Sequence, residues 1–119
     1  MTYNPDNVFA KILNGSMPCN KVYEDDYALA FHDINPQAPV HVLVIPKGPY
    51  ESMDDFSKNA PVDLICGFFS AVGQVARELG ITEDGYRMLA NHGADANQEV
   101  PHFHIHLFAG RNLGMLLPR

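Results

Sequence analysis

Three of the six histidines of this 119-residue chain fall within five positions, in the run His102-Phe103-His104-Ile105-His106-Leu107. Imidazole and apolar residues alternate there without a fault. Side chains of a β-strand point to opposite faces at every step. His102, His104 and His106 therefore share one face, about 6.7 Å apart, while Phe103, Ile105 and Leu107 face a core. Such a row has three explanations. Solvated surface residues seldom alternate so cleanly with apolar ones. In a metal site, histidines two apart can ligate zinc or copper, but a row spread along a strand often needs a further ligand from elsewhere. The third is nucleophilic and acid–base chemistry. Imidazole is nucleophilic near neutral pH and leaves phosphorus readily once attached, and a second imidazole can supply the proton a departing amine or oxyanion requires. No serine or cysteine nucleophile stands nearby with an obvious partner, so the pattern suits phosphorus chemistry better than peptide hydrolysis.

The elements that must position these rings are legible around them. Val8–Leu13 reads as a two-turn helix capped by Asp6 or Asn7 and ended by Asn14-Gly15. Residues 20–23 and 27–31 read as a hairpin across the acidic turn Glu24-Asp25-Asp26. Residues 33–39 form a loop punctuated by two prolines. Val40–Ile45 is nearly continuous in apolar character and closed by Pro46, which predicts a central strand buried on both faces, with His41 near its start. Gly48–Ala60 reads as a polar loop. Pro61–Leu79 repeats apolar residues at the helical period and has Gly80 in the position that ends a helix. Residues 86–90 form a fourth strand, residues 91–97 a loop, and residues 99–109 a fifth strand. This order predicts an α+β domain: a five-stranded antiparallel sheet with one short and one long helix. A parallel dinucleotide-binding sheet is disfavoured, since no helix follows each strand.

Composition narrows the classes further. A chain of this length with 46% hydrophobic residues suits one globular domain. Eight Lys+Arg against 14 Asp+Glu give a net charge of −6, without the basic footprint of a nucleic-acid polymer binder. No apolar run approaches a membrane span. The N-terminus lacks the pattern of an export signal, and Cys19 and Cys66 form no disulfide framework, so the cytoplasm is the expected compartment. Protonating all six histidines would bring −6 to 0, so net charge is expected to vanish in mild acid.

The run His102–Phe108 resembles the signature of the histidine triad (HIT) family. The segment Phe31-His32-Asp33-Ile34-Asn35-Pro36-Gln37-Ala38-Pro39-Val40-His41-Val42-Leu43-Val44-Ile45-Pro46-Lys47 looks like that family's other hallmark. Gly85-Tyr86-Arg87-Met88 and the stretch from Asn91 to Gln98-Glu99-Val100 are similar to its approach to the triad. The likeness runs from Val8 to Gly114 and is nearest to the histidine triad nucleotide-binding branch, whose members are purine nucleoside phosphoramidases. It implies a single domain over residues 1–119, with a core at about 8–110 and a C-terminal tail at 111–119, paired into a homodimer. The implied substrate is a purine nucleotide or nucleoside phosphoramidate, with no cofactor and no metal. His104 would be the nucleophile and His106 the residue that contacts the phosphate and helps the leaving group. His102 and His41 would support them. The resemblance places Asp33 at the ribose hydroxyls, Phe9, Phe31, His32 and Ile34 around the base, and Asn91, Gln98 and the backbone N–H groups of Glu99 and Val100 at the phosphate. Other branches imply a dinucleoside polyphosphate hydrolase or nucleotidyl transferase, and a nucleotide-sensing binding module is a third reading.

The chain departs from the family pattern at several positions. Asn7 and Ala10 stand where some members carry a zinc-binding cysteine pair, so structural zinc is not expected. Ala96-Asn97 replaces the usual Gly-Gly, and Glu99 stands where many members have a small hydroxyl residue. The tail lacks a tryptophan.

Overall fold

The computed structural model describes residues 3–116; the expectations for residues 1, 2 and 117–119, including the end of the tail, lie outside it. The chain opens with helix α1 (Val8–Leu13), begun by Asn7, whose side-chain oxygen accepts the Ala10 N–H at 2.8 Å. Asn7 and Ala10, where the resemblance gives some members a cysteine pair, are thus joined here by a helix cap.

Strands β1 (Lys21–Glu24) and β2 (Ala28–His32) form the expected hairpin, and β3 (Val40–Pro46) follows the proline-rich loop. Residues 48–60 do not remain a loop throughout. Helix α2 (Met53–Asn59) forms there, with Ser52 Oγ accepting the Asp55 N–H at 3.2 Å. Ser52-Met53-Asp54-Asp55 is a helix-start pattern of the Ser-x-x-acid kind, and Phe56, fully buried, anchors the short helix. Helix α3 (Val62–Glu78) buries Phe68, Ala71, Val72, Val75 and Ala76. It ends where Gly80, at φ +71°, allows the Ile81 N–H to reach the Ala76 carbonyl at 3.2 Å. Gly67 of this helix lies against the Tyr27 ring, which a Cβ would strike, so its close approach is made within the chain.

Strands β4 (Arg87–Leu89) and β5 (Ile105–Ala109) complete a five-stranded antiparallel sheet in the order β1-β2-β3-β5-β4. The central β3 separates two apolar layers. Val42 and Val44 lie beneath α3 with Ile105, Leu107, Phe103 and Phe68, whereas Leu43 and Ile45 pack with Phe9, Leu29 and Phe31 beneath α1. Among the described residues no helix is long and apolar enough to cross a membrane.

The fifth strand is shorter than the alternation predicts. Pro101 has no N–H for a ladder. The His102 N–H turns back to the Val100 carbonyl at 2.8 Å, and the Phe103 N–H bonds to the Tyr50 carbonyl at 2.7 Å. Residues 99–104 therefore leave the sheet, yet the alternation of faces survives. Phe103 stacks on Phe56 at 5.0 Å, while the rings of His102 and His104 meet Phe9 on the other side.

Candidate active site

The β3–β5 register places Leu43 opposite His106 and His41 opposite Phe108, which brings two imidazoles from different strands side by side. His41 Nε2 and His106 Nδ1 lie 2.9 Å apart. The Gln37 backbone N–H donates to His41 Nδ1 at 3.1 Å, so the proton of neutral His41 must sit on Nε2. That Nε2–H donates to His106 Nδ1, which leaves the proton of neutral His106 on its Nε2. Each tautomer follows from a backbone group whose role is fixed.

The same logic orders the other two rings. His104 Nδ1 lies 2.7 Å from the His102 carbonyl oxygen, which can only accept, so Nδ1 carries the proton and Nε2 keeps its lone pair. His102 Nε2 donates to the Pro46 carbonyl at 3.1 Å, and its Nδ1 accepts from the Tyr3 hydroxyl at 2.7 Å. His104 thus presents a basic nitrogen, with the His106 ring 5.0 Å away. His102 is fully buried and acts on the site through its carbonyl.

Burial favours the neutral form of all four rings. It holds His102 down to about 4, with the Pro46 carbonyl opposing. It also holds His106 down to about 4, helped by His104 and His41 and opposed by Asp33. His41 and His104 lie below the usual 6.5 for the same leading cause, again with Asp33 pulling the other way. The expected loss of net charge in mild acid is therefore corrected. These buried rings resist protonation until the solution is below their ordinary range.

His41, His104 and His106 line one cavity of about 610 Å³, within the size range of small-molecule sites. Phe9 and Phe31 form its floor, packed edge to face at 5.5 Å, and Val8, Ile12 and Leu43 extend the apolar wall. His32 and Ile34 line the rim, and Ile34 is fully exposed. Asp33 sits beside the histidines. Its Oδ1 accepts the Asn35 N–H at 2.8 Å, which makes it a turn residue, and its Oδ2 lies 3.5 Å from His41 Nε2.

The loop before the triad closes the cavity with Asn91, Gln98, Glu99 and Val100. Gln98 is placed differently from expectation. Its amide donates to the Glu51 and Val100 carbonyls at 2.6 and 3.1 Å, and its oxygen accepts the Gly93 N–H at 3.0 Å. In this arrangement Gln98 ties the loop together, and its N–H groups are not free for a ligand. Asn97 adopts the left-handed conformation at φ +56°, which asparagine tolerates better than most residues, so the loop keeps a turn that glycine would otherwise make. The backbone N–H groups of Glu99 and Val100 donate to no acceptor among the described residues and adjoin the cavity. Asn91 is half-buried at its wall.

Ligand atoms of Asp33, His41 and His106 lie within 4.8 Å of one another, a spacing compatible with a metal ion. The tautomers oppose that use: His41 Nε2 bears a proton, and the lone pair on Nδ1 is committed to Gln37. Sequence reasoning overlooked Gln37 and Tyr3 as orienting partners, along with the wall residues Met17, Pro18 and Asn20. A Gln backbone N–H two residues before Pro39 leaves no signal in side-chain patterns.

His104, with a free imidazole nitrogen, and His106, with an imidazole N–H, thus line the same cavity, one just before β5 and one on it. The chain belongs to the HIT family: the HIT domain matches residues 14–113. It is 64% identical to an uncharacterized HIT-like protein of Azospirillum brasilense, over 99% of this chain and 97% of that one. It is 38% identical to the purine nucleoside phosphoramidase of Escherichia coli, over 94% and 93% of the two chains. A histidine triad protein from Clostridium difficile superposes with a TM-score of 0.86 at 41% identity, covering 96% of this chain and 98% of that one.

Proposed function

We propose that this protein is a purine nucleoside phosphoramidase that works through a nucleotidyl-histidine intermediate. The tautomer of His104 carries the reading: its Nδ1–H is held by a carbonyl and its Nε2 lone pair is available. The similarity to the E. coli enzyme supports the substrate class.

Binding of the phosphoryl anion raises proton affinity at the His41–His106 pair, where Asp33 already stabilises positive charge. With one proton taken up on His106 Nδ1, the His41–His106 hydrogen bond is given up: the rings move apart, His41 Nε2–H donates to Asp33 Oδ2, now 3.5 Å away, and His106 is an imidazolium. His104 Nε2 then attacks phosphorus, the P–N bond breaks, and the amine leaves with the Nε2 proton of His106. The charge that develops on the His104 ring is met by the His102 carbonyl. The N–H groups of Glu99 and Val100 are positioned to receive the phosphoryl oxygens, an effect worth about 2.7–4 kcal/mol per donor in other enzymes. Water next attacks phosphorus and gives a proton back to His106 Nε2. The P–Nε2 bond breaks, releasing the nucleoside monophosphate. Asp33 Oδ2 is the group offered to the ribose hydroxyls, with Phe9, Phe31, His32 and Ile34 at the base and Asn91 beside the phosphate.

The test is a substrate panel with excess chelator present. Adenosine and guanosine 5′-phosphoramidates should be hydrolysed, and dinucleoside polyphosphates cleaved far more slowly. Preference for the polyphosphates would assign the chain to another branch. Nucleotide binding without turnover of either would make it a binding module, and loss of activity on chelation would revive a metal mechanism.

The same reading includes a homodimer. The edge strand β4 leaves Met88 half-exposed, and Val62 and Phe69 of α3 are also exposed, so apolar surface lies on both elements. Sedimentation at micromolar concentration should give about twice the 13.2 kDa chain mass. A stable 13.2 kDa species would exclude the pairing.

A further inference from the structure

The charge balance of the cavity points beyond the reaction to the kind of leaving group. Among the described residues lining it there is no lysine and no arginine. The carboxylates there are Asp33 and Glu99, and burial keeps His41, His104 and His106 neutral near pH 7. Asp33 is engaged with the Asn35 N–H and lies beside His41. Glu99 is exposed at the rim and forms no ion pair or side-chain hydrogen bond among the described residues.

A single phosphoryl charge can be met there by backbone N–H groups. A second or third negative charge would find no lysine or arginine among these residues, only the single proton that His106 takes up with the first, and would face the Glu99 carboxylate. A positive charge carried beyond the scissile nitrogen would be attracted to it. We infer, resting on the phosphoramidase reading, that Glu99 is a specificity-determining residue that favours leaving amines bearing a second, cationic group and disfavours anionic ones. The substrate class is then a nucleoside phosphoramidate of a diamine-like or basic amine. Glu99 acts through its field, with no covalent part in the reaction.

Three adenosine 5′-phosphoramidates of similar chain length separate the possibilities, made from butylamine, 1,4-diaminobutane and 4-aminobutyrate. Their kcat/KM ratios are compared between wild type and Glu99→Gln, so that intrinsic leaving-group differences cancel. The preference for the diamine over butylamine should fall about two- to fivefold in the variant, the range for an exposed charge pair. Discrimination against the aminobutyrate should weaken, Glu99→Lys should reverse the order, and both preferences should shrink at about 0.5 M salt. If wild type hydrolyses all three and the ratios are the same in Glu99→Gln, the assignment to Glu99 is overturned and the phosphoramidase reading stands. If wild type hydrolyses none of them, the reading beneath the inference fails as well.

Discussion

Replacing His104 with alanine should lower turnover on the order of 10⁴–10⁶-fold, as in other enzymes when a nucleophile or its partner is removed. The substitution removes the Nε2 that attacks phosphorus. It also removes the Nδ1–H bonded to the His102 carbonyl at 2.7 Å. Nucleotide binding should persist, because Phe31, Asp33 and the N–H groups of the 99–100 segment remain in the cavity wall. A phosphorus–imidazole bond is labile to acid and stable to base. Quenching wild type into alkali during turnover of a phosphate-labelled substrate should therefore place label on the peptide containing His104, and His104→Ala should carry none. The pH profile gives an independent check. Burial holds the His104 ring below 6.5, so the neutral nucleophile persists as pH falls to that value, and the acidic loss of kcat/KM should lie below it. Label at His92, or near-wild-type turnover by the alanine variant, would refute the assignment.

The sequence exposed the site more fully than the devices that tune it. Alternating His102–Leu107 correctly divided the rings from the core even though residues 99–104 leave the sheet, because the alternation of faces outlasts the ladder. The unbroken apolarity of Val40–Ile45 marked a strand covered on both sides. Helix α2 was hidden by its polar composition: Phe56 is its single buried residue, so no apolar period could announce it, and the Ser52–Asp55 start pattern was the remaining signal. Tautomers were illegible for a different reason. They depend on the carbonyls of His102 and Pro46 and the N–H of Gln37, which every sequence supplies and only folding aims. Gln98 shows the converse limit: its place at the cavity was legible, but the three bonds that commit its amide to the loop were not.

Removal of the His106 ring is expected to slow phosphoramidate hydrolysis about 10²–10⁴-fold, the usual contribution of a positioned acid or base. The size of the loss should depend on what leaves. His106 occupies the strand position opposite Leu43, and its Nδ1 accepts from His41 at 2.9 Å, so its Nε2 is the nitrogen that can deliver a proton. A strongly basic alkylamine cannot depart from phosphorus without that proton. A weakly basic arylamine needs it far less. Rates for His106→Ala plotted against the basicity of the leaving amine should therefore fall steeply where wild-type rates are nearly flat. His106→Gln keeps polarity but lacks a proton of comparable acidity, so it should behave like the alanine variant. Burial and the neighbouring His104 and His41 hold free His106 down to about 4, so the proton must be taken up as the phosphoryl anion binds. Substrate analogues with an uncleavable bond should accordingly bind with net proton uptake near pH 7, measurable by calorimetry in buffers of different ionisation enthalpy. His106→Ala should lose that uptake. Equal losses for aryl and alkyl amines, or unchanged proton uptake in the variant, would move the leaving-group proton to another residue.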